Sequence, residues 1–333
     1  ILFVAWKRID LKLSLNFKWR GFGLRPALKA ASWSLGMVLV TQLGGLVQTI
    51  VASSAISARA EGAGAVASVA AFNIAWLIFM LPHSVVTVSI ATAYFTKMSH
   101  HAQAGEHAEL KGDLVAGLKS ISAVAVLATA MLIVLAYPAA RVFVGEAAAT
   151  EALGNVLIAL MVGLLPFSFV YMIQRAFFAL EDTRTPFWFT VAQIGIHIAG
   201  SITLSFTVPA EWLVVGLALL TSISVLVQSL LAGWLLARRI GPWGRGQLGV
   251  SIAKYAAGAA AAAIVGWLVF ELLGGAGTDS WTRSGIAAAL ITMVVVGSFM
   301  LATYAVSLRL VEPSAFKSAS AAVAKGLKGI LRK

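Results

Sequence analysis

Long apolar stretches without a charged residue dominate this chain and limit the folds open to it. Residues 65–95 and 212–236 contain no Asp, Glu, Lys or Arg, and about 20 residues of helix cross a bilayer core. Hydrocarbon offers no partner to backbone N–H and C=O groups, so such stretches form helices that pair these groups internally. The chain is 11% charged, against about 25% for soluble domains. These features predict an all-α polytopic membrane protein and exclude a soluble enzyme, a disordered chain and, without cysteine, a disulfide scaffold.

The apolar pattern predicts about eight transmembrane helices. The predicted spans are residues 31–55, 65–95, 114–137, 152–180, 186–208, 212–236, 252–273 and 284–308. Pro82 and Pro166 each remove a helix hydrogen bond, so we expect kinks at these two positions in the second and fourth spans.

The distribution of Lys and Arg predicts the orientation of the spans. Positive charges are retained on the cytoplasmic side of a membrane. With residues 7–30 on that side, Arg59, Arg141 and Arg283 lie outside, Arg175 lies within a span, and the remaining 21 of the 25 basic residues lie inside. This asymmetry predicts a cytoplasmic C-terminus.

Basic segments flank the predicted spans. Residues 1–6 read as the end of an earlier helix, and 7–30 as a basic cytoplasmic linker lying on the anionic leaflet. Residues 311–333 read as a basic amphipathic tail on the membrane surface; a solvated tail helix or the start of a further domain is an equal alternative. With the basic residues in membrane-flanking loops, the net charge of +12 predicts anionic lipids as partners, and no nucleic acid.

Three stretches resemble one family of transporters. They are residues 79–92 (FMLPHSVVTVSIAT) with the loop 97–106 (KMSHHAQAGE), residues 175–186 (RAFFALEDTRTP), and Thr41-Gln42 with Gln48-Thr49 and Ser53. Together they resemble the MurJ/MviN family, the lipid II flippases of the MOP exporter superfamily, over roughly residues 30–190. The resemblance implies the C-terminal portion of a fourteen-helix transporter in the bacterial cytoplasmic membrane. Residues 31–239 are then its second six-helix lobe, and residues 240–310 carry the two additional helices.

The chain departs from this family's pattern in its second span. Pro82-His83-Ser84 stands where family members carry a Gly after Pro-x, and Leu77 occupies the position of an Arg found in many relatives. The role of that cavity cation therefore does not transfer to this chain.

Polar residues in the spans are the candidate substrate-binding residues. Thr41 and Gln48 recur at seven-residue spacing, with Gln42 and Thr49 beside them, so they form one polar stripe. Such a stripe either contacts a polar headgroup in a central cavity or joins helices through hydrogen bonds. Asn73 is expected near an outward vestibule. Arg175 either binds a diphosphate or has a structural or gating role at the cytoplasmic interface.

The remaining polar groups predict no catalysis. His83 and His197 are the membrane-embedded histidines, and a neutral imidazole bonded to a neighbouring helix is favoured over proton coupling. His100, His101 and His107 lie in a charged loop, where the spacing does not establish a metal site. The chain contains no G-x-x-x-x-G-K-[ST], H-E-x-x-H or G-x-S-x-G motif. We therefore expect no enzyme activity, no cofactor and no bound metal.

The resemblance implies a flippase that moves a polyprenyl-diphosphate-linked peptidoglycan precursor, lipid II, from the inner to the outer leaflet by alternating access. Three alternatives remain at this point. One is an exporter of another polyprenyl-linked glycan, and another is a multidrug antiporter-like transporter. The third is a non-transporting membrane scaffold that recruits cell-wall or division proteins.

Overall fold

The computed structural model describes residues 24–57, 67–277 and 280–313, and within these ranges the chain is helical with no strand. The helices are α1 (Leu24–Ser57), α2 (Val69–Pro82), α3 (Val88–Gln103), α4 (His107–Val134), α5 (Ala136–Phe143), α6 (Ala147–Met161), α7 (Leu164–Ala179), α8 (Arg184–Thr207), α9 (Ala210–Ile240), α10 (Arg245–Leu272) and α11 (Ile286–Val311). The all-α prediction is confirmed. Most of the predicted linker (1–30) and tail (311–333) falls outside the described residues.

The described chain contains enough apolar helix for a polytopic membrane protein. Seven helices are long and apolar enough to span a bilayer, and the count becomes eight when the bent pair α6–α7 is taken as one span. The third span begins at His107 rather than at residue 114. A helix does not have to end where hydrocarbon ends, so the charged first turns of α4 extend the span beyond its apolar part.

The second span is continuous from Val69 to Gln103. Pro82 ends α2, and residues His83–Thr87 form a π-helical segment before α3 begins. Proline has no N–H to donate, and a single π-helical turn accommodates the resulting mismatch inside a helix. The irregularity expected at Pro82 therefore takes the form of a widened turn.

The fourth span is broken between Met161 and Leu164, where α6 and α7 meet at 45°. The kink expected from Pro166 is present and lies within the turn before the proline, because Pro166 stands in the first turn of α7. It cannot donate to the carbonyl of Val162 four residues earlier, so α6 does not continue into α7. Gly163 fits here because a Cβ at this position would lie 2.8 Å from Oγ of Ser222 on α9.

Neighbouring helices bond the carbonyl groups freed at this break. Ser222 Oγ donates to the carbonyl oxygens of Ala159 (2.8 Å) and Leu160 (3.2 Å). Thr129 Oγ1 of α4 donates to Met161 O at 3.4 Å. A broken transmembrane helix is tolerated where Ser and Thr side chains satisfy the backbone in this way.

Each long helix packs against several neighbours, and α4 contacts α3, α7 and α10. α1 lies along α8 and α9, α9 also contacts α6 and α7, and α2 packs on α6. α1 approaches α8 closely, since a Cβ at Gly44 would lie 2.9 Å from Ile194. α10 and α11 pack against each other and against α4, with Leu127, Ala262 and Met300 buried in one apolar cluster. The division into a six-helix lobe (31–239) and two additional helices (240–310) stays a prediction.

Candidate functional site

A cavity of about 700 Å³ opens among α1, α2, α7, α8 and α9. Its wall has two chemically different sides. The polar wall comes from α1, α8 and α9 and consists of Thr41, Gln42, Gln48, Thr49, Thr190, Gln193, His197, Thr221 and Gln228. The aromatic wall comes from α2 and α7 and consists of Phe72, Trp76, Phe167 and Tyr171, with Asn73 and Gln174 beside the rings.

Five of the six candidate residues line this cavity, namely Thr41, Gln42, Gln48, Thr49 and Asn73. The four on α1 share a face because seven residues are almost two helical turns. The hydroxyls of Thr41 and Thr49 donate to carbonyl oxygens one turn back, each at 2.9 Å. Both oxygens therefore remain available as acceptors toward the cavity.

Arg175 does not belong to the described residues that line the cavity, although it contacts Tyr171, which does. Its Nη2 donates to the hydroxyl of Tyr171 at 2.6 Å. The guanidinium also lies over two rings, 4.8 Å from the Tyr171 centroid and 5.6 Å from that of Phe95. These contacts hold the guanidinium against the rings of Tyr171 and Phe95.

Hydrogen bonds across helices stabilise the polar wall. Nε2 of His197 lies 3.1 Å from Oε1 of Gln48 and joins α8 to α1. Gln193 Nε2 donates to Ser224 Oγ at 3.1 Å, and Gln228 Nε2 donates to Thr190 Oγ1 at 3.3 Å. The wall therefore combines fixed amides with the exposed side chain of Gln42, which makes no hydrogen bond within the described chain.

Three glutamines that were not predicted as substrate-binding residues also line the cavity, namely Gln174, Gln193 and Gln228. A signal was present at Gln193, which precedes His197 by one helical turn and therefore shares its face. Gln228 likewise follows Thr221 by seven residues. α7, α8 and α9 hold one glutamine each, so only the packing of these helices shows that the three side chains line one cavity.

The aromatic wall is built by ring contacts. Trp76 stacks on Phe79 with centroids 5.1 Å apart and meets the edge of Phe167 at 5.9 Å. Leu77, the residue at the position of the family's arginine, is 64% exposed and lies outside the cavity lining. The helix therefore presents an indole to the cavity, not the neighbouring position 77.

A buried polar cluster fixes the aromatic wall from behind. His83 and Thr87 of the π-helical segment are both buried, and both contact Ser168 of α7. Thr87 Oγ1 donates to Ser168 Oγ at 2.9 Å, and Nδ1 of His83 lies 3.4 Å from the same oxygen. The His83 ring also packs on Phe167, with centroids 4.6 Å apart. Each membrane-embedded histidine thus contacts a neighbouring helix.

The cavity is polar but carries no Asp, Glu, Lys or Arg among its described lining residues. Amide side chains offer two donors and an acceptor each, and hydroxyls offer one donor and an acceptor. Such a surface binds sugars, amides and phosphate oxygens through neutral hydrogen bonds. It lacks the paired acid and base that hydrolysis of a glycosidic bond requires.

Comparison with known proteins identifies the family. The family model described as lipid II flippase MurJ matches residues 1–282. A protein of Rhizobium meliloti (strain 1021), named probable lipid II flippase MurJ, is 28% identical over 294 residues, which cover 85% of this chain and 52% of that protein. A protein of the same name from Rhizobium tropici is 27% identical over 275 residues, 78% of this chain and 48% of that one. The chain spans about half the length of these two relatives.

The fold agrees with a solved structure. A structure titled lipid II flippase MurJ, inward closed conformation, superimposes with a TM-score of 0.62 at 20% sequence identity, over 92% of this chain and 59% of that one. The helices described above thus share the fold of that structure. Because the family model extends over most of the sequence, the chain belongs to the MurJ family of lipid II flippases.

Proposed function

We propose that this chain forms one side of the path along which a lipid II headgroup crosses the bacterial inner membrane, while the polyprenyl tail stays in lipid. One observation carries this proposal. Inside transmembrane helices, an uncharged wall of amides and hydroxyls faces a wall of stacked aromatic rings across a cavity of about 700 Å³. Polar groups within spans are costly and mark substrate pathways.

The chemistry of the two walls suits a substrate that has to be bound and then released. Thr41, Gln42 and Thr49 offer neutral hydrogen bonds, which are about half as strong as charge-assisted ones. A headgroup can exchange such bonds for water at either side of the membrane. The rings of Trp76 and Tyr171 add apolar surface without holding the headgroup by charge.

We assign Arg175 a positioning role. Its guanidinium holds the Tyr171 hydroxyl, and Tyr171 lines the cavity. Through this bond Arg175 fixes the ring that borders the path. A diphosphate reaching Tyr171 would present oxygens to the same guanidinium, whose planar donors match phosphate geometry.

Alternating access then requires one lobe to rock against the rest of the transporter. The break at Gly163 and the π-helical segment His83–Thr87 are the irregular points of the spans bordering the cavity. Both lie next to the aromatic wall. Phe167 and Ser168 follow Gly163 on α7, and they contact His83 and Thr87 of the π-helical segment. We propose that the helices adjust at these points when access to the cavity changes sides.

The proposed orientation places the turns after α3, α7 and α9 in the cytoplasm, together with the C-terminus. Lys97, Arg184 and Arg238 flank these turns, and Arg141 lies on the opposite side. The basic side would contact anionic headgroups of the inner leaflet. Division or cell-wall proteins are further candidate partners on that side.

Substitution of Gln42 by Leu tests the function. Gln42 is exposed to the cavity without a protein hydrogen bond, so Gln42→Leu should leave folding unchanged and reduce headgroup passage. In a full-length protein carrying this chain, we expect at least a ten-fold slower appearance of lipid II in the outer leaflet of cells depleted of their own flippase. Gln247→Leu, an exposed glutamine of α10 outside the cavity, is the matched control. Equal rates for the two variants would refute the assignment.

Cysteine labelling tests the orientation. The 333 residues contain no cysteine, so a single cysteine substitution in a cysteine-free full-length protein reports one site. Gln103 and Ala148 are exposed and lie at opposite ends of the bundle. We expect Ala148→Cys to react with a membrane-impermeant maleimide in intact spheroplasts, and Gln103→Cys to react only after lysis. The reverse pattern would contradict a cytoplasmic C-terminus.

A further inference from the structure

The turn between α3 and α4 gathers imidazole and carboxylate groups away from the cavity. α3 ends at Gln103, and Gly105 adopts a φ of +75°, a left-handed conformation that glycine enters without strain. The chain therefore reverses within three residues and Glu106 folds back onto α3. Oε2 of Glu106 lies 2.6 Å from Nδ1 of His101.

Three side chains of this turn lie close enough together to hold a metal ion. His100, His101 and Glu106 each offer one ligand atom, and these atoms all lie within 4.8 Å of one another. Tetrahedral zinc with bonds of about 2.0–2.1 Å holds its ligand atoms about 3.3 Å apart. Small side-chain rotations would bring two nitrogens and one oxygen to that separation, with water in the fourth position.

Asp113 supplies a second, independent observation. Its Oδ2 atom is buried and accepts no hydrogen bond, and Nε2 of His101 lies 3.5 Å away. A histidine that binds a metal through one nitrogen almost always donates its other N–H to a carboxylate, a backbone carbonyl or water. A metal on Nδ1 of His101 would fix the proton on Nε2 and direct it at Asp113.

We propose that His100, His101 and Glu106 bind a Zn²⁺ ion, with Asp113 orienting His101. Two imidazoles and a carboxylate match the ligand preference of zinc. The ion would join the end of α3 to the start of α4 and so fix the turn between the second and third spans. The site is separate from the cavity, and the proposal does not depend on the transported substrate.

Zinc binding by the purified full-length protein, prepared with a tag that contains no histidine, tests the proposal. Equilibrium dialysis against Zn²⁺ gives the number of ions bound, and the visible spectrum with Co²⁺ reports a tetrahedral nitrogen–oxygen site. We expect His101→Ala and Glu106→Gln each to lose one bound Zn²⁺ per chain. We expect Asp113→Asn to keep this ion with an affinity reduced about 10- to 100-fold.

His107 provides the matched control. It is exposed on the same turn but does not belong to the group of three, so His107→Ala should bind zinc as the unmodified protein does. Circular dichroism verifies that each variant is folded. The proposal is overturned if the unmodified protein binds no Zn²⁺ that His101→Ala lacks, or if His107→Ala loses as much. The first result would show that His101 contacts only Glu106 and Asp113, and the second would show that the ligand set is not the one proposed.

Discussion

The two walls of the cavity are built by different forces. On α1, α8 and α9, the side chains are joined by hydrogen bonds between helices, such as that from His197 to Gln48 at 3.1 Å. On α2 and α7, aromatic rings pack on one another. Trp76, for example, contacts three other rings. Hydrogen bonds can be exchanged with a passing substrate, whereas packed rings lose their contacts when they move. The comparison predicts that the polar wall serves binding and the aromatic wall serves stability.

The largest expected loss of stability follows removal of the indole from the aromatic wall. Trp76→Ala should lower the free energy of unfolding by about 3 kcal/mol, the low end for truncating a packed Trp, because Trp76 is half-buried. Reversible unfolding in detergent micelles measures the change. Leu77→Ala, at the neighbouring 64% exposed position, is the control and should change stability by less than about 0.5 kcal/mol. Similar losses at both positions would show that ring packing does not stabilise this wall.

A smaller loss is expected where the helices of the two walls meet, at Gly163 and Ser222. In Gly163→Ala the new Cβ would lie 2.8 Å from Oγ and 3.0 Å from Cα of Ser222, so α9 must shift. We expect a cost of about 2 kcal/mol, typical of overpacking, in the same unfolding measurement. Gly195→Ala on α8, where a Cβ would meet nothing within 4 Å, should be neutral or stabilising. If Gly163→Ala proved as harmless as Gly195→Ala, the two helices would not be in close contact.

The smallest expected effect on stability is within the polar wall. Gln48→Leu removes the partner of His197 Nε2, and we expect a loss of about 1 kcal/mol, the low end for an unpaired buried group. The double substitution with His197→Leu should recover part of this loss, because no polar group is then left unpaired. Unfolding of the four proteins in a double-mutant cycle gives the coupling energy. A coupling of zero would mean that the bond contributes nothing to the wall.

Much of the fold could be predicted from the sequence, because hydrocarbon requires helices wherever charge is absent. Composition indicated where spans lie but not where helices end, so α4 begins at His107, seven residues before the predicted start. The fourth span bends before Pro166 because the proline's effect falls on the carbonyl one turn earlier. Which neighbouring hydroxyls would compensate for the break depends on packing that no local pattern contains.

The part of the candidate site that lies on α1 could be predicted from the sequence. Thr41, Gln42, Gln48 and Thr49 form a periodic stripe on one helix, and periodicity is visible in a sequence. Gln193 shares a face with His197, but Gln174 has no such polar neighbour on α7, so only the arrangement of α7 and α8 around α1 shows that both glutamines line the same cavity. Arg175 has the residue type for phosphate binding, but its nearest partners are rings, which the sequence does not reveal.

The hydrogen bonds from Ser222 to the broken fourth span limit how α6 and α9 can move relative to each other. Ser222 Oγ reaches the carbonyl oxygens of both Ala159 and Leu160, and no water is present in hydrocarbon to replace it. If α9 slid along α6 by a single residue, the Ala159 carbonyl would lose this donor in an apolar medium, whereas Leu160 O would keep its bond from Gly163 N at 2.9 Å. α6 and α9 are therefore coupled by a hydrogen bond, and a conformational change that moves one of these helices has to move the other with it.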